Sequence, residues 1–470
     1  MLSRFQPDSD PSKVLENYSV ATRKYQPLSG EPFRPIALIS CGLASTLIYL
    51  GILLLGDLRM QVPEYVCCFF MLSLLYILAS YICMQKASRF ALWAVIAFAV
   101  VFRAITFFKT PTLSDDIYRY AWEGYLQTKG INPYVSAPDS SELIRYRNEI
   151  WKLVNNKNVA AIYPPVAQIF NALTYSFFHS FWGFKVLSLV VDAVVIWGIL
   201  RLLAVRAQNL NYVVFYAWSP LVVTEVAGNG HNDVLAVAFL LWSTACCLTN
   251  RPARSVILLG ASILSKLYPV LMVPFFLKRI AVRHWLWLPL VLALGYAPYL
   301  RAGSNLVSAL SYYKEKWRFN GFLFANLTQS LSSETTAERF SVVVILLLIV
   351  LSLAGVNDLL KQQFWLLSGL LLLTPSLFPW YLLWIIPLLC FFPRPAWIVL
   401  SVTIVISYYV LIDWWTLGVW RQSDFFKGLQ YYPFFALLLL GCGRRLVSSR
   451  IHAATRTAII EFGRDFLGTL

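Results

Sequence analysis

Apolar positions in this chain come in long unbroken runs, not at every second residue and not on one helical stripe. The runs cover 36–56, 64–83, 90–108, 183–204, 211–227, 234–249, 253–266, 267–278, 284–300, 338–354, 362–378, 379–392, 395–412 and 431–446. A helix needs roughly 20 apolar residues to cross a hydrocarbon core of about 30 Å, and one that is apolar all round faces lipid or a packed interior. The pattern predicts an all-α fold, a polytopic transmembrane helix bundle of about 12–14 spans, several of them short. Residues 1–35 read as a polar tail, 36–446 as one transmembrane domain, and 447–470 as a C-terminal tail. Within the domain, 109–182 forms the first large loop. Its segment "IYPPVAQIFNALTYSFF" reads as a juxtamembrane or re-entrant helix, with Pro164-Pro165 at the start, where a missing N–H costs nothing.

Composition agrees. The chain is 59% hydrophobic and 13% charged, against about one quarter charged in soluble domains. A net charge of +16 raises the question of nucleic acid, but the basic residues sit at the ends of the apolar runs and not on one face. With the N-terminus cytoplasmic, Arg23, Lys24, Arg34, Lys86, Arg89, Arg201, Arg206, Arg251, Arg254, Lys278, Arg279, Arg283, Arg394, Arg444, Arg445 and Arg450 collect on the inner side, as the positive-inside rule requires. Loop 109–160, the GNGHND turn at 228–233, loop 301–337 and loop 413–430 then share the outer side. Counting 162–178 as a full crossing would carry Arg201 and Arg206 outside, which is why it reads as re-entrant.

The eight cysteines all fall in apolar runs and read as packing residues. The four histidines show no ligand spacing, and there is no P-loop or GxGxxG cradle for a nucleotide. The sequence specifies no cofactor; dependence on a divalent metal is left open.

Against this apolar background the polar clusters stand out. "SDDIYRYAWEGYLQTKGINPY" follows the third run and holds Asp115 and Asp116 with Arg119, Tyr120, Trp122 and Glu123. On a helix Asp116, Arg119 and Tyr120 share a face at i, i+3 and i+4. An acid there fits two readings: an interfacial cluster neutralised by Arg119, or a general base for a hydroxyl beside an aromatic that suits a sugar ring. In "GNGHNDVLAVAFLLW", Gly228 and Gly230 permit a tight turn, and Asn229, His231, Asn232 and Asp233 end a span. One of the last two also suits as the cap of the helix starting at Val234. In "SKLYPV", Lys266 stands before Tyr268 and Pro269, where its cation reaches a polar cavity and suits a lipid phosphate. Asp192 lies within a run and calls for a structural partner in the bundle interior. "YYKEKWRFNGFLFANL", with Lys314, Lys316, Trp317, Arg318 and Asn320, reads as a headgroup-lying loop or a lid. "TPSLFPWYLLW" adds Trp380 and Tyr381.

Taken in order, the acid loop, "IYPPVAQIF", "GNGHNDVLAVAFLLW" and "SKLYPVLMVPFFL" resemble the GT-C superfamily of membrane glycosyltransferases. They are most similar to bacterial polyprenyl-phosphomannose-dependent alpha-mannosyltransferases and more distantly to the catalytic subunit of GPI mannosyltransferase I. The resemblance covers roughly residues 90–300. It implies inverting transfer of a hexose, with mannose implied, from a polyprenyl-phosphate sugar to a hydroxyl of a glycan or glycolipid acceptor, on the extracytoplasmic face of a plasma or inner membrane. It implies Asp116 as catalytic base, with Asp115 as the alternative. Arg119, Tyr120, Trp122, Tyr163, Asn229, His231, Asn232, Asp233, Lys266, Tyr268 and Arg318 are then the expected substrate-binding set. A lipid-linked sugar flippase or transporter is the rival class, with Asp192 and Lys266 lining its pathway; matching interrupted helices in two related halves would mark it, and the sequence has none.

Overall fold

The computed structural model describes residues 34–441, which form helices, turns and loops with no β-strand. Residues 1–33 of the N-terminal tail, the C-terminal tail and the last five residues of the run at 431–446, Cys442 among them, lie outside the described residues, and the first helix takes in Pro35. The protein is an all-α polytopic membrane bundle. In chain order, the helices used below are α1 (Pro35–Leu54), α2 (Val62–Gln85), α3 (Arg89–Phe107), α4 (Asp116–Thr128), α5 (Pro165–Phe178), α6 (Phe181–Val205), α7 (Asp233–Leu248), α8 (Pro252–Ser265), α9 (Asn305–Lys316), α10 (Glu334–Gly355), α11 (Leu359–Leu373) and α12 (Pro395–Leu417).

Six of the helices, α1, α2, α3, α6, α10 and α12, are long and apolar enough to cross a membrane unbroken. The other apolar runs are shorter or interrupted, and proline is the main reason. Pro269 and Pro274 fall in one run and Pro379 and Pro387 in another; each lacks an N–H and crowds the carbonyl four residues back. These stretches become short pieces, Tyr268–Met272, Val273–Leu277, Pro379–Trp384 and Ile386–Leu389. Pro220–Gly228 and α7 form a further apolar pair bent by 117° at its break, as in a broken span or a re-entrant loop. There Val223–Gly228 forms a π turn, and Gly230 has φ 71°. The amides of Asn229, Gly230 and His231 reach back to the carbonyls of Thr224, Val226 and Glu225. Irregular backbone at such depth survives because protein covers it and its polar groups are paired.

Buried charge is handled in the same way. Asp192 on α6 takes the Arg103 Nε of α3 at 2.5 Å and the Tyr216 hydroxyl at 2.6 Å. This is the structural partner its position demands. Lys185, near the start of α6, donates to the carbonyls of Phe107 and Lys109, closing the end of α3 just before the acid loop.

The segment 108–180 folds over one end of the bundle. Pro164 is the N-cap of α5 and Pro165 its first residue, the place where proline is tolerated. The helix α4 lies directly on α5, with Gly124 against the Asn171 carbonyl.

Candidate active site

The acid loop, the end of α8, α9 with the segment after it, the Pro379–Trp384 turn and α12 with the segment after it converge on one cavity of about 1140 Å³. Asp116 opens α4 on its wall. Its Oδ1 accepts from Asn155 Nδ2 at 3.0 Å and its Oδ2 from the Tyr163 hydroxyl at 3.3 Å. Burial raises the Asp116 carboxyl above its ordinary value, with Asp233 adding to the rise; the Asn155 hydrogen bond, then Lys266 and Arg119, work against it. Asp115, one third exposed, turns the other way, to Arg59 Nη1 at 3.9 Å. Burial pushes it up to about 6; Arg59 opposes the rise and the Asp116 charge reinforces it.

Lys266 follows the last turn of α8 in extended backbone and lines the same cavity. Its Nζ donates to Asp233 Oδ2 at 2.9 Å and lies 4.9 Å from the Tyr163 ring centre, so one tyrosine links it to Asp116. Asp233 also accepts from Trp384 Nε1 at 2.8 Å, and Trp384 stacks on Tyr268 at 4.2 Å. Beyond Lys266 the wall turns apolar through Val270, Leu271, Leu370 and Leu371. A carboxylate, an ammonium and an adjoining apolar groove are what a reaction between a hydroxyl and a lipid-borne phosphate ester requires.

Residues 42–282, just over half of the chain, match the family model for the alpha-(1->6)-mannopyranosyltransferase N-terminal domain. The chain belongs to that family. It is a multi-pass membrane mannosyltransferase of the GT-C type. No curated protein and no solved structure matches it. The match spans the acid loop, the GNGHND turn and Lys266, and stops short of Arg318 and the Trp380–Trp384 wall.

Several expected substrate contacts sit elsewhere in this mannosyltransferase. Arg119 reaches the cavity edge, but its guanidinium is engaged by Glu123 and by the carbonyls of Asn155, Asn156, Val159 and Ala160, so it clamps the loop. Tyr120 is fully buried behind Tyr163, and Trp122 packs with Leu126, Leu143 and Val154. The shared face of acid, cation and phenol is therefore a buried packing face beyond Asp116. Asn229 bonds Glu225, while Asn232 is buried with no side-chain partner. Neither Asn232 nor Asp233 caps α7: Asn232 occupies the cap position without a side-chain bond, and the Asp233 carboxylate is turned to Lys266. Arg318 lines the cavity but is paired with Glu334 and Glu338 of α10. His231 is fully buried behind Asp116, stacked on Trp380 at 4.2 Å.

Three groups were missed in the sequence. Glu225, a lone acid in an apolar run six residues before His231, carried a readable signal. Asn155 and Arg59 carried none, because only the folding of distant loops brings them to Asp116 and Asp115.

Proposed function

We propose that this mannosyltransferase moves mannose, with inversion, from a polyprenyl-phosphate donor to a hydroxyl of a glycan or glycolipid acceptor, at the extracytoplasmic face of a plasma or inner membrane. The observation that carries the reading is Asp116 and Lys266 on one cavity, joined through Tyr163 and continued by an apolar groove. Asp116 takes the acceptor proton as the oxygen attacks the anomeric carbon. The phosphate leaves with its bonding electrons, so it needs a cation more than an acid, and Lys266 supplies one. Tyr268, Trp384 and Tyr381 stack on one another as an aromatic wall beside that cation. A positive-inside count supports putting the loops around this cavity outside the cytoplasm.

The test is transfer by the purified protein from radiolabelled polyprenyl-phosphate mannose to an oligomannoside, with GDP-mannose as the contrasting donor. Label transferred only from GDP-mannose would refute the lipid donor, and a retained anomeric configuration would refute single displacement.

A further inference from the structure

Behind Asp116 the chain builds a second acid–imidazole contact that the transfer step as proposed does not use. His231 is 0% exposed and off the cavity wall, and neither ring nitrogen has a hydrogen-bond partner. A buried polar group without a partner forfeits its hydration for nothing, so two on one ring call for an explanation. The ring lies between two carboxylates: Nε2 is 3.4 Å from Glu225 Oε2, and Nδ1 is 3.9 Å from Asp116 Oδ2. Glu225 sits in the π turn with one donor on each oxygen, the Tyr408 hydroxyl at 2.5 Å on Oε1 and Asn229 Nδ2 at 2.9 Å on Oε2. That arrangement satisfies an ionised carboxylate, which then faces Nε2 as an acceptor and draws the ring proton to that side. The Nδ1 lone pair is left facing Asp116. Two acceptors repel, which accounts for the wider gap on that side.

Protonating Asp116 reverses this contact. Its Oδ2–H becomes a donor aimed at an unpaired Nδ1, and closing the gap by about 1 Å makes a hydrogen bond. Resting on the proposed role of Asp116, we infer that His231, positioned by Glu225, relays the proton that Asp116 takes from the acceptor. In the transfer step the acceptor O–H bond breaks, its oxygen bonds to the anomeric carbon, and the bond to the phosphate oxygen breaks with its electron pair staying on phosphate. The proton passes from Asp116 Oδ2 to His231 Nδ1, giving an imidazolium whose Nε2–H faces Glu225. Asp116 is ionised again before the products leave, so no acid stands beside the new glycosidic oxygen to promote the return reaction. The proton leaves through Asp116 to cavity water once the site empties.

Around the ring stand Asp233 and Lys266, paired at 2.9 Å, with Tyr163 and Tyr120 on the Asp116 side and Tyr408 and Tyr65 beyond Glu225. Lys185 packs its stem near Gly230 but points its amine at the Phe107 and Lys109 carbonyls. The His231 ring lies within 4 Å of both carboxylates.

The experiment measures kcat and both KM values across pH for H231Q and E225Q, with D116N as reference. Glutamine fills each site, but neither amide gains or loses a proton in the working range. Each variant should lose about 10-fold or more in kcat with both KM values unchanged, and the acid side of the kcat profile should change shape. Superimposable pH profiles, even with a lowered kcat, would overturn the relay, because lost packing scales the rate without changing its titration. So would kcat within twofold of wild type in both. If H231Q does not fold, E225Q gives the same reading. An active D116N would instead sink the base assignment, a failure separable from that of the relay.

Discussion

Gly124 is the point where the acid-bearing helix meets its support. A Cβ added there would stand 2.4 Å from the Asn171 carbonyl oxygen and 2.9 Å from both the Asn171 carbonyl carbon and Tyr175 Cβ. Carbon to oxygen contacts settle near 3.3–3.6 Å, so in Gly124→Ala α4 must retreat from α5 by about 1 Å. Of the hydrogen bonds across that seam, Gln168 Nε2 to Glu123 Oε2 at 2.7 Å would stretch out of range, and the Tyr163 hydroxyl, 3.3 Å from Asp116 Oδ2 just before α5, would lose its carboxylate as α4 moves. Overpacking costs about 1–3 kcal/mol and a hydrogen bond to a charged group about 1.5–3 kcal/mol, offset by about 1 kcal/mol of better helix propensity. With one such bond lost, a net loss of about 2–5 kcal/mol follows. Displacing a catalytic group by about 1 Å lowers turnover by about 10²-fold. Thermal melting in detergent and initial mannosyl-transfer rates read the two effects. Gly51→Ala is the control, since nothing lies within 4 Å of its added Cβ. If Gly124→Ala melts and turns over like the Gly51→Ala control, the seam does not position Asp116.

Asp116→Asn should keep its fold and lose about 10²–10⁴ in rate, while Asp115→Asn, which faces Arg59, should lose less; near wild-type transfer by both would refute the acid-loop assignment. In pH profiles, activity should fall as Asp116 protonates, at a pH above the ordinary aspartate range near ~3.9. Stability has the opposite sign: Asp115, raised to about 6 in the fold, contributes stability that is present at low pH and lost as pH rises through that value. A melting temperature flat across this window in wild type, or unchanged there between wild type and Asp115→Asn, would contradict the sign. Away from the cavity, Asp192→Asn leaves Arg103 buried without its counter-charge and should cost about 3–5 kcal/mol in detergent melting, with transfer per folded molecule unchanged; equal melting would show the pair to be dispensable.

Hydropathy announced the bundle because lipid demands continuous apolar surface, and α1, α2, α3, α6 and α10 follow their runs closely. It could not separate a span from an apolar stretch that proline breaks, as at 267–278 and 379–392, since hydropathy ignores backbone donors. Motif reading singled out Asp115, Asp116 and Lys266, which line one cavity, and Asp233, which holds Lys266, because polar groups are scarce in such a chain. It misjudged Arg119, Tyr120 and Trp122, since helical periodicity says which residues share a face but not whether that face meets a cavity or α5 and the loop before it. Glu225 and His231 were legible as polar residues, but their relation to Asp116 exists only because the π turn and Gly230 fold the chain back.

The cavity's charges also decide which cation is left for an anionic leaving group. Arg59 is held by Asp57 through a bond at 2.6 Å, Arg119 by Glu123 and four carbonyls, and Arg318 by Glu334 and Glu338. Each guanidinium shapes a loop. Lys266 is anchored too, but by one oxygen of Asp233, whose other oxygen is occupied by Trp384. An ammonium has three donors and has spent one, so two remain for a phosphate while the anchor holds. Fixing the side chain in advance removes much of the ordering entropy that a free lysine would lose on binding. Three more lysines line the same cavity: Lys152 is paired with Glu149, Lys157 donates to the Lys152 and Val154 carbonyls, and Lys316, among the described residues, has no carboxylate partner. It sits exposed on α9 and must be ordered when an anion binds. The pre-set cation beside Asp116 is therefore Lys266, and the acid that holds it is Asp233, from the same bent turn that carries His231.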